Sequence, residues 1–160
     1  MEAVIFCGIQ GSGKTTFYKE RFFKTHVRIS LDQLHTRNKE HQFLQTCFLT
    51  SQRFVVDNTN PTIAERIQYI QAAKQAKFKV LCYYFETDVT LAIERNKNRH
   101  GKECIPIAGI KGTFKKLQVP SYIEGFDQLY TVRIEEGGFV VWQQLNPDIE
   151  VNAANSRERK

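Results

Sequence analysis

Short apolar runs alternate along this chain with longer polar or amphipathic stretches, and the alternation predicts the elements. AVIFC (3–7) is apolar throughout, then gives way to a glycine-rich turn and a helical pattern from about Lys14. VRIS (27–30) reads as a second short strand ahead of a polar helix over roughly 36–50. RFVVD (53–57) reads as a third strand. Beyond it Asn60 is placed to cap a helix, Pro61 suits the first helical position, and Ile63, Ile67 and Ile70 share one face. FKVLCYYF (78–85) is apolar almost without a break, as expected of a central parallel strand covered on both sides. Further helices are expected from near Asp88 and over Ile107–Lys116. LYTVRI (129–134) and FVVWQQL (139–145) flank EEGG, which predicts a terminal hairpin or a sharp turn between strands.

Composition narrows the class. At 160 residues, 41% hydrophobic and 25% charged, the chain has the make-up of one soluble globular domain able to bury a core. No apolar run approaches the roughly 18 residues that span a bilayer. The segment MEAVIFCG carries an acid and no basic n-region, so it reads as a buried strand rather than a signal peptide. Cys7, Cys47, Cys82 and Cys104 are far apart with no CxxC pair. That spacing fits neither a zinc site nor a disulfide framework; it predicts reduced thiols in an intracellular protein, cytoplasmic or, in a eukaryote, nuclear. One folded domain is expected over 1–145, with the polar stretch 146–160 as a frayed tail.

Net charge is +6, and residues 95–116 carry seven Lys/Arg against one acid, Glu103, an excess equal to that of the whole chain. A polyanionic partner would suit such a patch. A solvated helix face would carry the same pattern.

The chemistry begins at Gly8-Ile9-Gln10-Gly11-Ser12-Gly13-Lys14-Thr15, which fits GxxxxGK[ST] between a strand and a helix. Glycines let the backbone wrap an anion and turn its N–H groups inward, and the helix N-terminus adds partial positive charge. Gly8, Gly11, Ser12, Gly13, Lys14, Thr15 and Thr16 are therefore expected around the phosphates of ATP. Lys14 would reach the β- and γ-phosphates and the Thr15 hydroxyl would bind Mg²⁺. With repeated strand–helix units behind it, this turn predicts an α/β fold: a P-loop NTPase-type three-layer sandwich with a mainly parallel sheet and a helical lid at about 88–116. Ligands in such sheets bind at the carboxyl ends of the strands.

Two acids fall at those ends, Asp32 closing RISLD and Asp57 closing FVVD. Each could orient an acceptor hydroxyl and take its proton, hold a metal, or merely cap a turn. No glutamate follows either one directly, as it commonly does beside the metal aspartate of motor-type ATPases, so transfer to a hydroxyl fits better. Arg95 and Arg99 lie four apart on an expected helix, hence on one face, where their forked guanidinium groups could grip a transferred phosphoryl group.

In order, GIQGSGKTT, ISLD, VVDNTNPT and ERNKNRHGKECIP resemble the 5′-hydroxyl polynucleotide kinase domains of phage-type and animal end-healing enzymes, over roughly residues 2–134. DNTNP is the most specific of these stretches. The resemblance implies that Asp32 is the general base toward the 5′-OH of single-stranded or nicked RNA or DNA. It implies that Asp57, Asn58 and Thr59 line the acceptor pocket, and that Arg95 and Arg99 are lid arginines. The phage-type pattern has an arginine three residues after the base; here that position is His35, and Arg37 is the nearest substitute for an acceptor-phosphate contact. No DxDx[TV] phosphatase motif and no ligase lysine motif occurs, so the chain reads as a stand-alone kinase or one domain of something larger. Two other readings stay open: a small-metabolite or nucleoside kinase, and a nucleotide-binding switch that transfers nothing.

Overall fold

The computed structural model describes residues 1–147. Its six strands are β1 (Glu2–Cys7), β2 (Val27–Ile29), β3 (Phe54–Val56), β4 (Lys79–Phe85), β5 (Gln128–Glu135) and β6 (Gly138–Gln143), forming one sheet in the order β2-β3-β1-β4-β5-β6. All neighbouring pairs are parallel except β5 and β6, which form the expected antiparallel hairpin. The helices are α1 (Lys14–Arg21), α2 (Leu31–Leu34), α3 (Arg37–Leu49), α4 (Ile63–Gln75), α5 (Val89–Lys97) and α6 (Ile107–Lys116).

Strand alternation sorts the core into two layers. Ala3, Ile5, Cys7, Val56, Val80 and Cys82 pack on one side with Leu44 of α3 and Tyr69, Ile70 and Ala73 of α4. Val4, Phe6, Val55, Leu81 and Phe85 pack on the other with Phe17 and Tyr18 of α1. Phe17 meets Phe6, Phe85 and Phe139 at ring-centroid distances of 6.0, 5.3 and 5.0 Å. Such edge contacts, each worth about 0.5–1.5 kcal/mol beyond burial, hold α1 and therefore the lysine at its first turn. Burial pushes the Cys7 thiol up to about 12, which makes it a small core side chain rather than a nucleophile.

Several expectations shift by a residue or a turn. The cap of α4 is Thr62, not Asn60: the Thr62 hydroxyl accepts from Glu65 N at 3.3 Å and the Glu65 carboxylate accepts from Thr62 N at 3.1 Å. Asn60 instead has φ 44°, is buried, and donates its amide to Phe6 O at 2.8 Å. Pro61 accordingly precedes the helix. Ile63 is exposed, and the buried face of α4 carries Arg66, Tyr69, Ile70 and Ala73. Ile70 is buried as its spacing predicts, but an inward face that also carries Arg66 and Tyr69 shifts the helix away from the periodicity of its isoleucines. Of the expected tail, residues 148–160 lie outside the described residues.

Arg66 is fully buried and forks onto Glu124, Nε to Oε2 at 2.7 Å and Nη2 to Oε1 at 2.8 Å. Its Nη1 also donates to Asn60 O at 3.0 Å and Pro61 O at 3.1 Å. Removing one partner strands the other charge in the core. Arg66→Ala should therefore lower unfolding stability by about 3–5 kcal/mol in urea titrations, whereas Arg66→Met with Glu124→Leu should recover most of that loss.

Candidate functional site

The phosphate loop is held between two flanking elements. Gly11 has φ 77° and any Cβ there would sit 2.5 Å from Ala92 O of α5. Gly13 has φ 93° and a Cβ there would sit 2.8 Å from Ile134 Cδ1 and 3.1 Å from Phe139 Cε1 of the hairpin. Only glycine allows both approaches. Ile9, Ala92 and Ile110 form a small apolar cluster that docks α5 and α6 onto the loop, and Gln10 donates to Thr113 Oγ1 at 3.1 Å.

Lys14 folds back into this turn. Its ammonium donates to Gly8 O at 2.9 Å, Ile9 O at 2.7 Å and Ser12 Oγ at 3.3 Å. Burial pushes its pKa down from 10.5 to about 8, against the opposing pull of Asp57 and, more weakly, Asp32. Gly8 N is already engaged with Thr59 O at 2.9 Å, so Gly8 contributes the shape of the turn rather than a free amide. Thr16 is exposed and lines the cleft beside the loop.

That cleft, of about 340 Å³, is lined by Gly11, Gly13, Thr16, Arg95, Arg99 and Phe139 among others. Arg95 is on α5 and reaches Gly11 O at 3.4 Å. Arg99 lies past the helix, which ends at Lys97, yet it lines the same cleft. Buried Asn96 fixes this turn by pairing with Ile105 in both directions, donating to its O at 2.7 Å and accepting from its N at 2.9 Å.

The turn after β3 is the second half of the site. Asp57 is 3% exposed, and its Oδ2 accepts from Thr15 Oγ1 at 3.1 Å and from Arg28 Nε at 2.7 Å. The hydroxyl and carboxylate are hard oxygen donors of the kind that suit magnesium, so the residues fit that ion. Asn58 accepts from Leu31 N at 2.9 Å and donates to Glu40 Oε1 at 2.7 Å. Leu31 opens α2, the four-residue helix that carries Asp32. Asp32 is thus exposed on a short helix beyond β2 rather than closing a strand, and Asn58 anchors that helix.

Buried Glu40 also accepts from Tyr69 OH at 2.9 Å and from Arg37 Nη1 at 2.8 Å. Arg37 remains 61% exposed despite that pairing. His35 ends α2 in the left-handed region at φ 64° and is exposed. The structure therefore bonds Thr15 to Asp57, keeps the Lys14 ammonium within the loop, places Arg95 and Arg99 on one cleft, and ties Asn58 to the segment bearing Asp32. Arg28, Glu40 and Asn96 were not singled out in the sequence. An arginine inside the otherwise apolar VRI strand was the one signal available.

The AAA domain family matches residues 41–118, from within α3 to just beyond α6. The fold is shared with a gluconokinase from Sinorhizobium meliloti 1021, with a TM-score of 0.61 at 16% identity over 84% of this chain and 83% of that one. Fold and phosphate loop together give this chain the P-loop type of α/β sandwich. In sequence it is similar to the bifunctional polynucleotide phosphatase/kinase of Schizosaccharomyces pombe, 27% identical over 135 residues. It is likewise similar to a putative bifunctional polynucleotide phosphatase/kinase of Acanthamoeba polyphaga mimivirus, 30% identical over 138 residues. Each match covers 82% of this chain and 33% of the relative, so the chain spans about a third of the length of these curated relatives. Among the described residues, no helix is long and apolar enough to cross a membrane.

The depressed Lys14 pKa sets a pH dependence. Phosphate oxygens favour the charged ammonium, so binding should draw in a proton near and above pH 8. ADP affinity should fall roughly tenfold from pH 7 to pH 9 as Lys14 deprotonates in the free protein. Calorimetry in two buffers of different ionisation enthalpy should register the proton uptake, and Lys14→Met should remove the step.

Proposed function

We propose that this chain is an ATP-dependent polynucleotide 5′-hydroxyl kinase domain, transferring the γ-phosphate of ATP to the 5′-OH end of RNA or DNA, in the context of end healing. One observation carries the reading. The exposed Asp32 carboxylate stands on a helix whose first residue is anchored by Asn58, next to the Asp57 that meets Thr15 of the loop. A nucleotide-binding switch has no use for a carboxylate presented there. The choice of a polymeric acceptor is supported by the names of the two similar proteins and by the basic surface of the lid.

In this reading the nucleoside triphosphate lies in the cleft beside Arg95, Arg99 and Phe139, with its phosphates entering the loop. Lys14 turns from the carbonyls of Gly8 and Ile9 to the β- and γ-oxygens, exchanging neutral acceptors for charged ones. Thr15 and Asp57 would hold Mg²⁺, which neutralises phosphate charge when bound. Asp32 accepts the proton of the 5′-hydroxyl as that oxygen attacks the γ-phosphorus and ADP departs. Arg95 and Arg99 balance the charge on the transferred phosphoryl group from the lid side. Arg37, fixed by Glu40 and Tyr69 yet exposed, presents its guanidinium to an acceptor phosphate, with His35 at the end of α2 beside that path. Contacts of this type read phosphates rather than bases, so little sequence preference follows.

Incubation with γ-labelled ATP, Mg²⁺ and a panel of 5′-OH RNA and DNA oligomers, mononucleotides, nucleosides and sugars tests the reading. Label should appear on the oligomers, and Asp32→Asn should reduce it by about 10²–10⁴-fold while leaving ADP affinity unchanged. Label confined to a small acceptor would overturn the polymer. Absence of label from every acceptor, with ATP bound, would overturn phosphotransfer itself.

A further inference from the structure

Arg28 is the middle residue of the edge strand β2, and alternation separates it from Val27 and Ile29, which pack into the layer beneath α3 and α4. Its guanidinium lies on the opposite side, 5.9 Å from the ring centroid of Tyr18 in α1. Only 16% of its side chain is exposed, against 1% for its partner Asp57. Nε donates to Asp57 Oδ2 at 2.7 Å and Nη2 donates to Thr15 Oγ1 at 3.2 Å. The Thr15 hydroxyl in turn donates a hydrogen bond to Asp57 Oδ2 at 3.1 Å. The three groups form a closed triangle, with the arginine donating to both oxygens.

These two oxygens are the pair that fits magnesium. A lone pair that accepts an arginine N–H is not available to a divalent ion, and buried Asp57 already has its charge balanced by the guanidinium. We propose that Arg28 is a resident counter-cation of this site: it competes with the divalent metal for Thr15 and Asp57, and thereby sets how strongly nucleotide binding depends on metal. The inference rests on the phosphate-loop reading above, but not on which acceptor is used. In metal-free conditions the same arginine shields the incoming phosphates from the Asp57 carboxylate. Its loss should therefore weaken metal-free ADP binding and strengthen the metal-loaded complex, and both changes move one ratio in the same direction.

The measurement is ADP affinity by calorimetry in EDTA and in saturating Mg²⁺, for wild type, Arg28→Met and Arg28→Lys. Methionine keeps an apolar stem against Tyr18 and removes the charge; lysine keeps a charge but cannot fork onto both oxygens. The ratio of the metal-loaded to the metal-free affinity should rise about tenfold or more in Arg28→Met, with Arg28→Lys in between. In an Asp57→Asn background the Arg28→Met change should have little further effect. Direct Mn²⁺ binding by electron paramagnetic resonance gives the same test for Arg28→Lys should the methionine variant not fold. A ratio unchanged or lowered in folded Arg28→Met, or an undiminished effect in the Asp57→Asn background, would overturn the proposal. Failure of oligomer labelling with the ratio shift intact would remove the polynucleotide reading alone. An unshifted ratio in a protein that labels oligomers would remove this inference alone.

Discussion

A single buried guanidinium holds the geometry on which the site depends. Arg66 has no exposed surface, yet it binds both oxygens of Glu124 and two consecutive carbonyls, those of Asn60 and Pro61. An arginine in a dry interior is tolerable only when its donors are matched by acceptors of fixed geometry. That requirement pins the end of the turn after β3 to the start of α4 and to the short helical segment at Tyr122–Glu124. From this fixed end the turn reaches Phe6 O through Asn60, Gly8 N through the Thr59 carbonyl, α2 through Asn58, and Thr15 through Asp57. Four successive residues, Asp57 to Asn60, thereby couple the phosphate loop to the segment that carries Asp32.

The polar groups near the loop share a second property: charge is balanced locally before any ligand arrives. Lys14 rests on backbone carbonyls, Asp57 on Arg28, and Glu40 on Arg37, Tyr69 and Asn58. Burial and the neighbouring Glu40 push the Tyr69 hydroxyl up to about 12, so it stays a proton donor to that carboxylate. Ligand binding at such a site is an exchange of partners, and its strength depends on how much better the new partner is than the old one. Arginine suits the resting role because it stays charged throughout the ordinary pH range.

The lid follows the same economy of fixed points. The apolar trio Ile9, Ala92 and Ile110 seats α5 and α6 on the loop, and the reciprocal Asn96–Ile105 pair holds the turn after α5. Arg95 and Arg99 share a cleft through that turn, not through one continuous helical face. Opposite them the β5–β6 hairpin closes over Gly13. The loop is thus enclosed on two sides by elements distant in sequence.

Much of this was legible in the sequence because it is local. Apolar runs, their period and the GIQGSGKT turn predicted six strands, the parallel sheet, the hairpin and the phosphate loop, since strand burial and anion binding demand those residue types in that order. The resemblance carried by DNTNP drew attention to the turn after β3, while the internal wiring of that turn is not written in its residue types. Whether Asn60 caps a helix or braces Phe6, and which groups of the loop Asp57 meets, depends on contacts between residues 42 to 54 positions apart. Glu40 and Arg66 look in sequence like ordinary surface charges, and Arg28 differs only by its place in a short apolar strand. Their burial depends on partners brought by other elements, and a charge's free energy in a protein is set by those partners and by the water they exclude. One-dimensional pattern decided the scaffold; only the packing of the turn after β3 against the loop decided which charges meet.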